Sequence, residues 1–301
     1  VKAGAPATPT VLEGPKGTEL QRLGRSVTDP WWTSEALLDD AGRDQLRGVH
    51  QAYRRAGADL ITANTFRTNR RALRRAGADE ELSSELVRRA VSDARLAADS
   101  AGAGHRPHRV AASVTTVEDC YRPDLVPPDS ELAEEHSWLI SRLAAEKVEL
   151  ILAETLNTVR EAVVVTESCA RAGVPVWVSF VCREDGLLLS GEPLGAAVRT
   201  VAAAGAEAVL VNCVAMRDLD AALSELATHS PVPIGAYPNL EDRSDVEDWT
   251  PVDRYVPVAC DPGEFADSMA ERVQRYGLKV VGGCCGTTPA HVSALRARLT
   301  G

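Results

Sequence analysis

Three cysteines stand where the sequence offers the plainest chemistry. Cys284 and Cys285 are adjacent in the run Val280-Val281-Gly282-Gly283-Cys284-Cys285-Gly286-Thr287-Thr288, and Cys213 closes another apolar run, Ala208-Val209-Leu210-Val211-Asn212-Cys213. Neighbouring side chains on a strand face opposite ways. Cys284 and Cys285 can therefore meet at one point only where the backbone is distorted, and the flanking glycines permit that. Three thiolates from two strand ends make a sulfur-only metal site with one open position. That is the pattern of a reactive zinc ion, since a structural zinc has four protein ligands. Such an ion holds a bound thiol deprotonated, and the thiolate is the competent sulfur nucleophile. Two blander readings of the same residues are a buried cysteine pair and a vicinal redox pair.

Other polar residues sit at the ends of apolar runs. Glu154 follows Leu150 to Ala153, where a carboxylate needs a polar pocket or a cation. A substrate ammonium group would serve, and so would an ion pair inside the fold. Glu13, beside Gly14, ends the first run and could do the same work. Asn64, Thr65 and Thr68 follow Leu60 to Ala63; they suit a small polar substrate or the satisfaction of loop backbone. Ser113, Asn212 and Tyr237 to Asn239 complete the polar strand ends. Cys182 could face the same point, although a core role fits it better. Cys169 reads as core, and Cys120 and Cys260 fall in loops with no assigned role.

The elements that must position these residues alternate. Short apolar runs occur at Thr10 to Leu12, Leu60 to Ala63, Val110 to Val114, Leu150 to Ala153, Val176 to Val181, Ala208 to Val211, Pro233 to Ala236 and Lys279 to Val281. Helical periodicity fills the stretches between: Ser34 to Ala56, Asn69 to Ala101 with a break at Gly77, Asp129 to Lys147, Leu156 to Ala172, Leu194 to Ala204, Arg217 to Thr228, Pro262 to Tyr276 and Pro289 to Leu299. Thr287 or Thr288 can cap the last helix, with Pro289 at its first position. Gly57, Gly173 and Gly205 read as helix ends leading into strands. Eight strand–helix units predict an α/β fold, a (β/α)8 TIM-type barrel, as a single domain over 10–301 behind a flexible tail at 1–9. A doubly wound sheet is the alternative, but Glu13-Gly14-Pro15-Lys16-Gly17 does not match the dinucleotide loop. Barrel sites form at the C-terminal ends of strands, where the polar residues above gather. The irregular stretch Pro238 to Asp261 reads as a lid beside the seventh strand.

Composition narrows the partners. The chain has 301 residues, is 45% hydrophobic and carries a formal charge of −10. That balance argues against nucleic acid and anionic membranes, and no apolar run is long enough to span a bilayer. Seven cysteines without regular spacing fit a reducing cytoplasm better than a disulfide framework. Val1 to Thr10 does not read as a signal peptide.

The chain resembles the zinc-dependent homocysteine S-methyltransferases, which include betaine, S-methylmethionine and cobalamin-linked members. The resemblance rests on Glu13 to Leu20, Ile61-Thr62-Ala63-Asn64-Thr65-Phe66, Glu154-Thr155, Ser190 to Leu194, Val211-Asn212-Cys213, Gly235 to Asn239 and Gly282 to Thr288. It implies a (β/α)8 barrel, zinc on Cys213, Cys284 and Cys285, and homocysteine as the fourth ligand through sulfur. It implies that Glu154 holds the substrate amino group with help from Glu13. Gly14, Asn64, Thr65, Ser113 and Asn212 complete the expected substrate surroundings. A sulfonium, quaternary ammonium or similar donor would pass its methyl to sulfur, giving methionine. Two departures stand out. The family usually has aspartate at the position of Glu13, with smaller residues than Pro15-Lys16 after it. Its third strand leads into a Gly-Pro-Tyr-Gly type of loop, where this chain has Ser113 to Asp119. The same transfer on another thiol or donor, and a non-catalytic zinc-binding relative, are the alternative readings.

Overall fold

Parallel pairing runs around the whole molecule. The strands are β1 (Thr10–Val11), β2 (Leu60–Ala63), β3 (Arg109–Val114), β4 (Leu150–Leu156), β5 (Val176–Phe180), β6 (Ala208–Ala215), β7 (Ile234–Asn239) and β8 (Val280–Val281). The computed structural model describes residues 8–100, 109–242 and 255–301. Within these, the sheet order is β1-β8-β7-β6-β5-β4-β3-β2, every neighbouring pair being parallel. The two ends meet through the bridge of Leu12 with Leu60 and a hydrogen bond from the Glu13 amide to the Leu60 carbonyl at 3.1 Å. This is the expected (β/α)8 barrel. Most of the tail at 1–9 and the middle of the stretch read as a lid, 243–254, lie outside the described residues.

Helices cover the barrel: α1 (Lys16–Arg22), α2 (Asp40–Arg55), α3 (Arg70–Arg75), α4 (Glu80–Asp99), α5 (Asp129–Ala145), α6 (Val159–Ala172), α7 (Leu194–Ala203), α8 (Leu219–His229), α9 (Pro262–Tyr276) and α10 (Pro289–Thr300). Their bounds follow local chemistry. The long helix expected from Ser34 divides into a 3-10 segment, Trp32–Leu37, and α2, because the Asp39 side chain accepts the Gly42 amide at 2.6 Å and starts a new helix. Gly77, at φ +87°, makes the expected break between α3 and α4. Leu156 belongs to β4, and Thr158 caps α6 through the Glu161 amide. Thr288 caps α10 in a reciprocal box with His291, with Pro289 at the first position.

Strand alternation sorts the side chains into two layers. Leu12, Leu60, Leu150, Leu152, Leu210 and Val280 fill the barrel interior, whereas Val11, Ile61, Ile151, Val209, Val211 and Val281 pack outward under the helices. Burying each leucine contributes roughly 1.5–3 kcal/mol. Continued upward, the same alternation points Glu154 and Asn212 inward and Cys213 outward. Two irregularities change this. The β4–β5 register shifts between Ala153 and Leu156, and the β6–β7 register shifts between Asn212 and Ala215. Thr155 stands at φ +60° and Cys213 at φ +55°, a backbone region costly for residues with a side chain. Such bulges re-aim side chains at barrel rims.

Candidate active site

The bulge in β6 brings Cys213 to the cleft at the C-terminal ends of the strands, where Cys284 and Cys285 also lie. Beyond β8 the chain turns tightly. A Cβ on Gly283 would collide with the Thr287 side chain, and Gly286 sits at φ +80°. That turn places the adjacent sulfurs of Cys284 and Cys285 only 4.0 Å apart. All three sulfurs lie within 4.8 Å of one another. Tetrahedral zinc with sulfurs at about 2.3 Å sets neighbouring sulfurs about 3.8 Å apart, so the donor set fits such an ion in type, and the separation of Cys284 from Cys285 fits it in spacing. The structure pairs Cys213 with Cys284 as a disulfide, with Cα atoms 5.7 Å apart, and leaves Cys285 outside the pair. Reduced, these three sulfurs are the set that could share an ion.

Asn212 is the tie between the two bulges. Its Oδ1 accepts the Thr155 amide at 3.0 Å and the Ser179 hydroxyl at 2.7 Å, and its Nδ2 donates to Thr155 Oγ1 at 2.8 Å. It is fully buried beneath the cleft and does not line it, so its hydrogen bonds hold Cys213 and Glu154 in place from below. Thr65 and Ser113 are likewise supports outside the cleft wall. The Thr65 hydroxyl donates to the Ser113 carbonyl at 2.7 Å, and the Ser113 hydroxyl donates to Glu154 Oε1. Alternation explains Ser113, which points into the barrel one layer below the opening.

Glu154 lines the cleft. Tyr237 donates its hydroxyl to Oε2 at 3.1 Å. Enclosure raises the Glu154 carboxyl above its ordinary value, and Lys16 with the hydrogen bonds from Ser113 and Tyr237 offsets only part of that. Glu13 also reaches the cleft, but its oxygens are in use. Oε1 accepts the Thr62 amide at 2.7 Å and Lys16 Nζ at 3.3 Å, and Oε2 faces His50 Nδ1 at 2.9 Å. Burial pushes Glu13 upward, yet His50, Lys16 and the Thr62 amide outweigh it and hold the carboxyl below its ordinary value. Gly14 has the Tyr53 ring 2.5 Å from where a Cβ would stand, so only glycine lets α2 pack this close to the cleft floor. Asn64 lines the opening and donates to the Thr33 carbonyl at 2.8 Å, while its buried Oδ1 has no partner.

The structure adds residues that spacing did not single out. Lys16, Trp32, Arg67 and Tyr121 line the same cleft. Lys16 could have been noticed as a cation inside a motif otherwise made of glycine and acid. Trp32 and Arg67 carried no such signal, because the 3-10 segment and the β2–α3 connection that present them meet only in the folded chain. The Ser113 to Asp119 loop is fixed by buried bonds: Glu161 accepts the Val117 amide at 2.7 Å and faces His136 at 2.9 Å. Cys120 is buried and lines the cleft, whereas Cys182 and Cys169 are buried outside its wall.

Residues 10–299 match the family model described as Homocysteine S-methyltransferase. This chain belongs to the homocysteine S-methyltransferase family. It is similar to "Homocysteine S-methyltransferase 4" of Zea mays, 29% identical over 95% of this chain and 87% of the relative. It is 28% identical to "Homocysteine S-methyltransferase" of Escherichia coli, over 96% of this chain and 94% of that one. Crystal structures of the Escherichia coli homocysteine methyltransferase MmuM superpose over 97% of this chain and 96% of theirs at 27% identity. The form described as metallated gives a TM-score of 0.81, and the form described as oxidized gives 0.82. No helix among the described residues is long and apolar enough to cross a membrane.

Proposed function

We propose that this member of the family methylates the thiol of homocysteine, with zinc held by Cys213, Cys284 and Cys285 in their reduced state. The observation that carries the reading is the meeting of three sulfurs from two strand ends in one cleft with Glu154. Zinc, when bound, would keep the substrate sulfur as thiolate at neutral pH. Glu154 would accept the substrate ammonium, whose charge relieves the cost of ionising an enclosed carboxyl. Ser113 and Tyr237 hold that carboxylate in one orientation, and the transfer would require the donor methyl in line with the sulfur. The new carbon–sulfur bond forms as the donor's bond to its methyl breaks, giving methionine. Cysteines kept reduced suit a compartment such as the cytoplasm.

A second reading keeps the chemistry and changes the thiol. Lys16 favours it, because its ammonium already lies 3.3 Å from Glu13 and so takes a place open to a substrate amine. A panel of amino and non-amino thiols separates the two.

The test is the zinc content of protein purified under reducing conditions, followed by zinc-edge absorption during titration with homocysteine. The expected result is near one zinc per chain and a new sulfur ligand on adding homocysteine, with zinc lost in Cys285→Ala. Full zinc in Cys285→Ala, or no change at the metal with homocysteine, would overturn the reading.

A further inference from the structure

Lys16 is a resident ammonium on the sulfur side of the cleft. Its side chain is 12% exposed and lines the cleft, and Nζ lies 3.3 Å from Glu13 Oε1. The segment that carries both residues is fixed to the cysteine turn. Val11 pairs with Val281, and a Cβ on Gly282 would stand 2.9 Å from Leu12, so Glu13 and the turn leave neighbouring strand ends side by side. Thr18, on the same helix α1 as Lys16, accepts the Gly286 amide through its hydroxyl at 3.1 Å. Glu13 has two other partners: the Thr62 amide reaches Oε1, and His50, on α2 and outside the cleft wall, faces Oε2. Among the described residues, Lys16 is thus the charged partner that Glu13 meets on the cleft wall itself. Glu154 lines the same cleft, and against the enclosure that raises its carboxyl the Lys16 charge is the largest offset.

Resting on the methyl-transfer reading above, we propose that Lys16 sets the class of thiol admitted: its ammonium stands where a substrate ammonium would meet Glu13, and the site therefore also binds thiols that carry no ammonium. The attachment to the cysteine turn ties this seat to the thiol, whose sulfur goes to the same turn. An ionised carboxylate offers about four lone-pair sites, and the Thr62 amide, His50 and Lys16 already use Glu13 from three directions. An amino thiol then has Glu154 for its ammonium and is repelled by Lys16 as it enters. A thiol acid without the amino group forgoes Glu154, meets no repulsion, and has its carboxylate attracted by Lys16. Lys16 thus narrows the gap between the two classes both by filling the seat and by the sign of its charge.

A matched pair of probes isolates the effect. Homocysteine and 4-sulfanylbutanoate differ by one amino group. Each is titrated into reduced, zinc-loaded protein with no donor present, so the thiol supplies whatever ligand ammonium there is. Calorimetry reads the affinity, and zinc-edge absorption reads ligation by the thiol sulfur. The wild-type protein is expected to bind both. Lys16→Met should tighten homocysteine about 10–100-fold, the worth of a charge-assisted hydrogen bond to the freed Glu13, and should leave 4-sulfanylbutanoate no tighter, with the zinc content unchanged. Lys16→Arg, which keeps the charge, should keep the wild-type ratio of the two affinities. A wild type that ligates homocysteine but not 4-sulfanylbutanoate would overturn the proposal. So would a Lys16→Met protein in which both affinities move equally, as a purely structural Lys16–Glu13 pair would give, or in which neither moves. Failure of the methyl-transfer reading looks different: neither thiol then adds a sulfur ligand to the zinc of the wild type.

Discussion

The two sides of the cleft are built by different means. The sulfur side is made of backbone. A bulge in β6 turns Cys213 inward, a glycine turn after β8 brings Cys284 and Cys285 together, and Asn212 ties the first of these to the bulge that carries Glu154. The charged side is made of side chains. Glu13 is satisfied by Thr62, His50 and Lys16, while Arg67, among the described residues, meets a carbonyl and two aromatic rings and no carboxylate. Backbone geometry tolerates little substitution, since a one-residue change of register flips every side chain that follows. Side-chain charges can be rearranged around an unchanged metal site. The contrast teaches that the chemistry of the sulfur belongs to the frame, and the choice of what binds beside it belongs to the charges.

Asn212→Ala gives the largest expected effect and strikes the frame. It strands the buried Thr155 amide and the Ser179 hydroxyl and removes the tie between the bulges. Thermal or urea unfolding should show a loss of about 2–4 kcal/mol, and zinc affinity should fall with it. An Asn212→Ala protein of unchanged stability and zinc affinity would mean that the bulges stand without their tie.

Glu154→Gln strikes the boundary between the two sides. The homocysteine KM should rise about 10–100-fold, the worth of a charge-assisted hydrogen bond, with zinc retained. Because the Glu154 carboxyl is raised above 4.5, homocysteine binding to the wild type should weaken as pH falls toward that raised value, and the variant should lack this step. The same shift has a stability consequence of opposite sign. A carboxyl raised in the folded state favours folding when protonated, so stability is lost as pH rises through the folded value. At neutral pH and without substrate, Glu154→Gln should therefore melt no lower than the wild type. A lower melting temperature would show that the carboxylate is structural.

Glu13→Gln is the mildest change and tests the charged side alone. The Glu13 carboxyl is held below its ordinary 4.5, so its contribution is complete above that value and lost as pH falls through the lower folded one. As pH falls below 4.5, the melting temperature of the wild type should drop more than that of the variant. Parallel curves would remove the Lys16 and His50 interactions from the stability of this wall.

Much of the fold was legible because its causes are local. Eight apolar runs with helical stretches between them specify strands and helices through alternation and periodicity, and a parallel sheet with crossovers follows. Asp39 and Thr158 show where legibility ended at the level of elements: each caps a helix at a position that periodicity alone ran through. At the site, the types of residue were readable and their facing was not. Thr65, Ser113 and Asn212 stand at strand ends as expected, yet they support the cleft from outside its wall.

By itself the sequence determined the barrel, the strand ends that carry the cysteines and Glu154, and the glycines that allow Cys284 and Cys285 to meet. Tertiary structure decided that Cys213 faces the cleft against its strand's alternation, that His50 comes to Glu13, and that no carboxylate among the described residues pairs with Arg67. The physical reason is range. Apolar periodicity and glycine freedom act between near neighbours, whereas the tie from Asn212 to Thr155 spans 57 positions and the charges around Arg67 come from separate strand ends.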